Sequence, residues 1–322
     1  MMTAKKIVLS VFIVTGFIVT GFIVVTLFMD ARLHKARTEM AENSNNVSVK
    51  TYCIGRYLID IPNDFTIKGR DDIINGVEIR LLDPAGDTNL ETIARQNQIP
   101  AKTGLTPLEN REKENRNVII SGQKYNTIGD ITSWEMRAFS RIDDHVFQFD
   151  YSAINVNFDE ASHHLQNIIT KTQYRAEGSI PDIDGSCLAD AFVAMPPMAG
   201  SDFTAGFNLP DQDVPYGISL QFSYTEQAPE MALDPQHAKE RPFLGMKAQE
   251  SLEEVTNDHA RDSGTFFWLE TVKAPSANDP ALHVNLQLFK QNDFPNSEPY
   301  TLERNLAFWN TIVESVRPIT EQ

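Results

Sequence analysis

The sequence predicts an α+β fold of two similar tandem domains, each an antiparallel sheet packed with helices, after an N-terminal transmembrane helix. Three observations carry this expectation. A long charge-free run stands near the start of the chain. A phrase built on cysteine occurs twice, and tryptophan, His-Val and a helical apolar stripe then follow each copy in the same order.

Ile7–Met29 is a run of 23 residues without a charge. At about 1.5 Å per residue it spans roughly 34 Å, enough to cross a bilayer. A secretory signal peptide has a shorter apolar region, about 7–15 residues, followed by a small-x-small cleavage site. Met29-Asp30-Ala31-Arg32 offers no such site, so the run reads as an uncleaved anchor. It contains FIVTG twice in tandem, at 12–16 and 17–21. Lys5 and Lys6 on one side nearly balance Arg32, Lys35 and Arg37 on the other, so charge alone does not orient it. A six-residue tail is easily kept inside, which puts the bulk of the chain outside the cytoplasm. The polar stretch 30–50, with its Asn/Ser cluster at 43–48, reads as a flexible tether.

The first cysteine phrase is TYCIGRYLIDIP, residues 51–62, and the second is GSCLADAFVAMPP, residues 185–197. After Cys53, Tyr57–Ile61 reads as a strand stopped by Pro62. After Cys187, Ala191–Met195 reads as a strand stopped by Pro196-Pro197. An alternating strand follows in each half: Val77, Ile79 and Leu81 on one face in the first, Ile218, Leu220 and Phe222 in the second. A helical stretch is then expected at Asn89–Gln98, and another at Leu244–Asp258 with Leu244, Ala248, Leu252 and Val255 on one side.

Trp134 and Trp268 come next, 134 residues apart like the two cysteines, and each sits in a strand pattern. The following strands open with His145-Val146 and His283-Val284. Each half closes on a helix. Ala161, Leu165, Ile168 and Thr172 make one stripe, with Asn157 as N-cap and Glu160 three residues on. Leu302, Leu306, Trp309, Val313 and Val316 make the other. The expected organisation is therefore a cytoplasmic tail and anchor over 1–29, a tether over 30–50, an N-terminal α+β domain over 51–177 and a C-terminal α+β domain over 178–322.

The formal charge is −16. Of 28 Lys and Arg, only Lys5 and Lys6 precede the apolar run, whereas all 44 Asp and Glu follow it. That balance argues against nucleic acid and against an anionic membrane face as partners, and fits either simple solubility or a soluble part that meets something basic. Asp143, Asp144, Asp211, Asp213, Asp279 and Asp293, all in predicted loops, are the candidates for such a partner surface.

Motifs with a catalytic mechanism are missing. The sequence has no G-x-S-x-G, no phosphate loop, no dinucleotide fingerprint and no H-E-x-x-H. Gly200-Ser201-Asp202 lies among turn residues rather than between a strand and a helix. His163-His164 are adjacent and would point about 100° apart on a helix. His145 and His283 follow hairpin loops and read as structural. The paired carboxylates Asp71-Asp72, Asp143-Asp144 and Glu253-Glu254 read as solvated surface. No catalytic residue, metal ligand or cofactor site is therefore expected. Cys53 and Cys187 leave two readings open. They are a disulfide across the halves, worth about 4–5 kcal/mol in the chain-entropy model, or two small buried core residues.

The phrase from Cys53 to Pro62, with Gly55, Arg56 and Asp60 inside it, resembles the opening of the N-terminal domain of immunity proteins that neutralise type VI secretion lipase effectors. Gly185 to Phe192, centred on Cys187, looks like the start of that family's C-terminal domain. The resemblance implies a non-enzymatic inhibitor without a cofactor. Its partner would be a cognate phospholipase or lipase toxin, and its place the periplasm. The apolar run would anchor it in the bacterial inner membrane by a single pass. The alternatives from other classes are an envelope structural or assembly factor that binds another periplasmic protein, and an anchored hydrolase with a site scattered in sequence.

Overall fold

A computed structural model describes residues 48–83, 89–126 save 101, 103, 104 and 116, 131–208, 217–224, 238–255, 264–271, 281–289 and 302–319. The expected anchor and tether thus fall outside the described residues, apart from 48–50. Among the described residues, no helix is long and apolar enough to cross a membrane.

The first half runs β1 (Val49–Ile54), β2 (Tyr57–Pro62), β3 (Thr66–Ile74), β4 (Val77–Asp83), α1 (Leu90–Gln96), β5 (Glu109–Asn115), β6 (Val118–Asn126), β7 (Thr132–Ile142), β8 (His145–Ile154), α2 (Phe158–Lys171) and β9 (Thr172–Tyr174). The second runs β10 (Ser186–Cys187), β11 (Ala191–Val193), β12 (Ser201–Asn208), β13 (Gly217–Tyr224), β14 (Lys239–Phe243), β15 (Met246–Val255), β16 (Gly264–Thr271), β17 (Ala281–Phe289), α3 (Leu302–Ser315) and β18 (Arg317–Pro318). Among the described residues, sheet dominates and every strand pairing is antiparallel.

Twelve strands form one sheet in the order β14-β15-β16-β17-β13-β12-β3-β4-β8-β7-β6-β5. Read outward from the β3–β12 pair, both sides give the same succession of strands. The internal likeness of the sequence is therefore matched strand for strand, but the halves do not own separate sheets. β3 and β12 would each be an edge strand in an isolated half. Here they pair from Ile73↔Asp202 to Thr66↔Asn208, with one register shift at Gly206/Phe207. Pairing them hides two edges that would otherwise template aggregation. The edges that remain are the charged ENREKEN of β5 and the short KERPF of β14, which carries Pro242.

One apolar core runs beneath the whole sheet. Phe203, Ala205 and Phe207 of β12 alternate with half-buried residues, lie opposite Phe222, Leu220 and Ile218 of β13, and share one core with Phe147 and Phe149 of β8. The helical stripes cover that face: Ala161, Leu165 and Ile168 from α2, Leu306, Trp309 and Val313 from α3. Helix α2 starts where the sequence directs it. Asn157 Oδ1 accepts the Glu160 amide at 2.9 Å, and Asp159 and Glu160 sit in the positive first turn. Helix α1 is capped the same way, by Asn89 on the Glu91 amide.

The helix expected at 244–258 is a hairpin instead. Leu244 and Gly245 take positive φ, +51° and +73°, and form the turn between Phe243 and Met246. β15 follows as a strand. A spacing of four residues fits a helix, but it also fits a strand, where 248, 250 and 252 share a face. On that face buried Glu250 meets Trp309 Nε1 and Arg241. The Gly245 inside the proposed helix was the contrary signal.

The two short sheets show the halves exchanging their ends. β1 and β2 pair together, and β18 from the far end of the chain completes them: Arg317↔Leu58, Pro318↔Tyr57. β10 and β11 pair together, and β9 from the first half completes them: Gln173↔Phe192, Thr172↔Val193. Each half thus lends its last strand to the opening hairpin of the other.

Candidate functional site

The residues of the two sequence motifs meet at the junction of the halves. Cys53 and Cys187 are joined by a disulfide, with Cα atoms 5.7 Å apart. Of the two readings left open by the sequence, the structure holds the bridge. Next to it, Gly55 N donates to Cys187 O at 3.0 Å and Cys187 N to Gly55 O at 2.8 Å. Gly55 must be glycine: its φ is +55°, and a Cβ there would lie 2.8 Å from Phe203 Cδ2. Arg56 Nη2 pairs with Asp184 Oδ1 at 3.0 Å, and its carbonyl accepts the Ile319 amide. Asp60 takes a fork from Arg317, and Thr51 Oγ1 donates to it at 2.7 Å. Pro62 O accepts the Phe65 amide where the chain turns into β3.

Three charged residues complete this junction, none of them assigned to it by the sequence analysis. Arg70 Nη1 donates to Cys53 O at 3.1 Å and its Nη2 to Cys187 O at 2.9 Å, so one guanidinium holds the carbonyls of both cysteines. Asp72 lies against Arg70, with Nε–Oδ2 at 3.0 Å, and accepts the Ala189 amide at 2.9 Å. Asp72, expected at the solvated surface with Asp71, is only 6% exposed. Burial raises its pKa above the ordinary carboxylate value, and neighbouring Arg70 offsets only part of the effect. Arg175 gives Nη2 to Leu188 O and Nη1 to Ser179 O. Burial first, then the nearby Arg70 cation, lower its pKa to about 10. The signal for Arg70 and Asp72 was positional. They alternate with Ile74, and so share its inward face.

A polar hub ties the halves a second time. Asn75, at φ +51°, accepts the Met198 amide at 2.6 Å and the Ser201 hydroxyl at 3.0 Å through Oδ1. Its own amide donates to Ser201 Oγ at 2.8 Å. The serine of Gly200-Ser201-Asp202 is thus fully buried and engaged with Asn75. His164 Nε2 stands 2.9 Å from Asn75 O, and its ring tilts against Tyr151. His145 stacks on Tyr174 with centroids 3.7 Å apart.

Asp143 and Asp144 form the β7–β8 turn, both exposed and both at positive φ, +49° and +64°. That conformation is what a two-residue hairpin turn requires, so their positions are set by the strands they connect. Asp211, Asp213, Asp279 and Asp293 lie outside the described residues. His283 lies in β17, opposite Glu270. Among the described residues, no group of three or more His, Cys, Asp or Glu could hold a metal ion.

A groove of about 630 Å³ runs between α1 and strands β5–β7. Ile119 and Phe139 form its floor, with Glu91 and Arg95 on the helix side and Glu112 and Glu114 on the edge strand. Its lining contains no histidine or cysteine. Its lining is a mixed-charge surface with an apolar base.

Comparison with known proteins agrees with the first of the motifs, while the second, residues 185–197, lies outside both matched ranges. Residues 50–96 match the N-terminal domain of Tle cognate immunity protein 4, and residues 223–319 match its C-terminal domain. No curated protein matches the chain. Among solved structures, the crystal structure of the Tle4–Tli4 complex contains a chain of similar fold (TM-score 0.63, 19% identity), covering 85% of this chain and 98% of that one. The apo structure of the immunity protein TplEi of the type VI secretion system of Pseudomonas aeruginosa is similar too (TM-score 0.63, 18% identity, 87% of this chain and 100% of that one). So is TplEi complexed with an "L" peptide (TM-score 0.62, 18% identity, 84% and 98%). Both domains of the Tle cognate immunity protein 4 family are thus matched in order on this chain, and a fold similar to that of solved immunity proteins extends along most of its length.

Proposed function

We propose that the chain is a non-enzymatic immunity protein that binds a lipase effector of a type VI secretion system and blocks it. The observation that carries this reading is the pair of family domains, N-terminal then C-terminal, on one chain. A similar fold in a Tle4–Tli4 complex supports a protein partner. The motif residues support it as well. Cys53, Gly55, Arg56, Asp60 and Cys187 are occupied in holding the two halves together, and no reacting group is assembled among them. Tight blocking needs an interface of about 1,200 Å² or more, which a twelve-stranded sheet platform can present. The acidic balance of the chain would speed its encounter with a basic surface.

We further place this activity in the periplasm, with Ile7–Met29 as the single-pass anchor and the folded part outside the inner membrane. The charge-free run and the disulfide both support that placement. The test is co-expression with a lipase effector of the type VI secretion system from the same cell, exported to the periplasm. Survival of the cells and loss of lipase turnover in the purified mixture are expected. Unchanged killing, with both proteins present in the periplasm, would sink the reading.

A further inference from the structure

We infer that oxidation of Cys53 and Cys187 is the step that completes this fold, so that the chain reaches its full shape only in an oxidising compartment. The inference does not depend on the identity of the partner. It starts from the smallness of the core around the bridge. Cys53, Leu58, Cys187, Phe192 and Ile319 form a cluster of their own, apart from the main core. It draws residues from both opening hairpins and from the segment after β18. Five side chains, two of them cysteines, give little hydrophobic hold on this side of the hairpins, whose other face buries Tyr52, Ile54, Leu188 and Ala191 in the main core. The bond at their centre supplies what the apolar contacts lack, because it removes the freedom of a loop of 134 residues from the unfolded chain.

What lies beside the bridge makes its loss consequential. Arg70 donates to the carbonyls of both cysteines, and Asp72 takes the amide of Ala189. This ion pair is buried, with side chains 8% and 4% exposed. It is satisfied only while β1 and the Cys187–Ala189 segment lie side by side. When the sulfurs are thiols, nothing covalent holds those segments. Their separation then lets water reach a charged pair that burial disfavours, so the reduced joint opens. In the forming step each thiol gives up its proton and the sulfurs join. Two electrons and two protons pass to a protein disulfide acceptor, which leaves as a dithiol.

The test is amide hydrogen exchange on the purified full chain in three forms: oxidised, unfolded with reductant and refolded in its presence, and C53A/C187A. The probes are the amides of Gly55, Cys187 and Ala189, each of which bonds across the joint, read against strands β7 and β8 as an internal standard. The oxidised chain should protect all three. The reduced chain and the double variant should exchange them at least tenfold faster. Loss of protection throughout the reduced chain would carry the inference further, since the bond would then be needed for any fold. Equal protection of the three amides in oxidised and reduced chain overturns it, whether or not the variant folds. So does the finding of two free thiols in chain recovered from an oxidising compartment.

Discussion

Arg317 holds Asp60 through a two-pronged contact, Nη1 to Oδ2 at 3.1 Å and Nη2 to Oδ1 at 3.2 Å, across 257 residues of sequence. It is the polar counterpart of the strand exchange. The last strand of the second half is pinned to the first hairpin of the chain. Ser315 adds to it by accepting the Asp60 amide at 2.8 Å.

Substituting Asp60 should therefore weaken the attachment of the chain's end. D60A removes a forked, charge-assisted pair and the acceptor of Thr51, at partly exposed positions, so a loss of about 1–2 kcal/mol is expected. R317K should recover only part, since an ammonium cannot fork. Urea unfolding of D60A, R317K and the parent checks the order. An unchanged midpoint for D60A would mean that the fork contributes nothing.

Gly55 offers a test of backbone geometry against sterics. G55A puts a side chain at φ +55° and drives it within 2.8 Å of Phe203 Cδ2, so a loss of about 2–4 kcal/mol is expected. Gly245 shares the left-handed conformation, φ +73°, but a Cβ there meets nothing within 4 Å. G245A should then cost about 1 kcal/mol, the conformational part alone. Thermal melting of both variants separates the two contributions, and equal shifts would rule out the contact with Phe203.

Asp72 makes a pH-dependent difference of definite sign. Burial raises its folded pKa above the ordinary 3.8, so the folded chain binds this proton more readily than the unfolded one. Its stabilising contribution is full below the unfolded value and fades as pH rises through the folded value. The advantage of the parent over D72N should therefore shrink from pH 3.5 toward neutrality, as read by urea midpoints at each pH. An advantage that grows with pH would mean that Arg70 outweighs burial.

Much of this fold was legible because its signals were local. The Asn157 cap, the stripes of α2 and α3, and the turn-bounded strands around Trp134 and Trp268 each depend on neighbours a few residues away. What was hidden depends on partners far along the chain. No pattern in β3 or β12 announces that each edge is closed by the other, and nothing at Arg317 announces Asp60. Asp72 looked solvated because its neighbour Asp71 is. The strand's alternation separates them, placing one outside and the other beside the disulfide. The same holds at 244–255, where a spacing of four suited two kinds of element and the turn at Leu244-Gly245 decided between them.

The exchange of end strands predicts how the chain behaves when divided. A cut between Ser179 and Gly185 would give fragments that each match one half of the sequence repeat. Yet the first would lack β18 for its opening hairpin, and the second would lack β9. Each would also expose β3 or β12 along its length, together with buried Phe203 and Phe207 in the second case. An isolated half should thus be unfolded or aggregated, with broad amide resonances and no cooperative transition. Mixing the two from denaturant under oxidising conditions should restore one cooperative unit, held by a disulfide that now runs between chains. A fragment that melts cooperatively on its own, with a midpoint near that of the whole chain, would show that the exchanged strands are ornament and that each half is a self-sufficient domain.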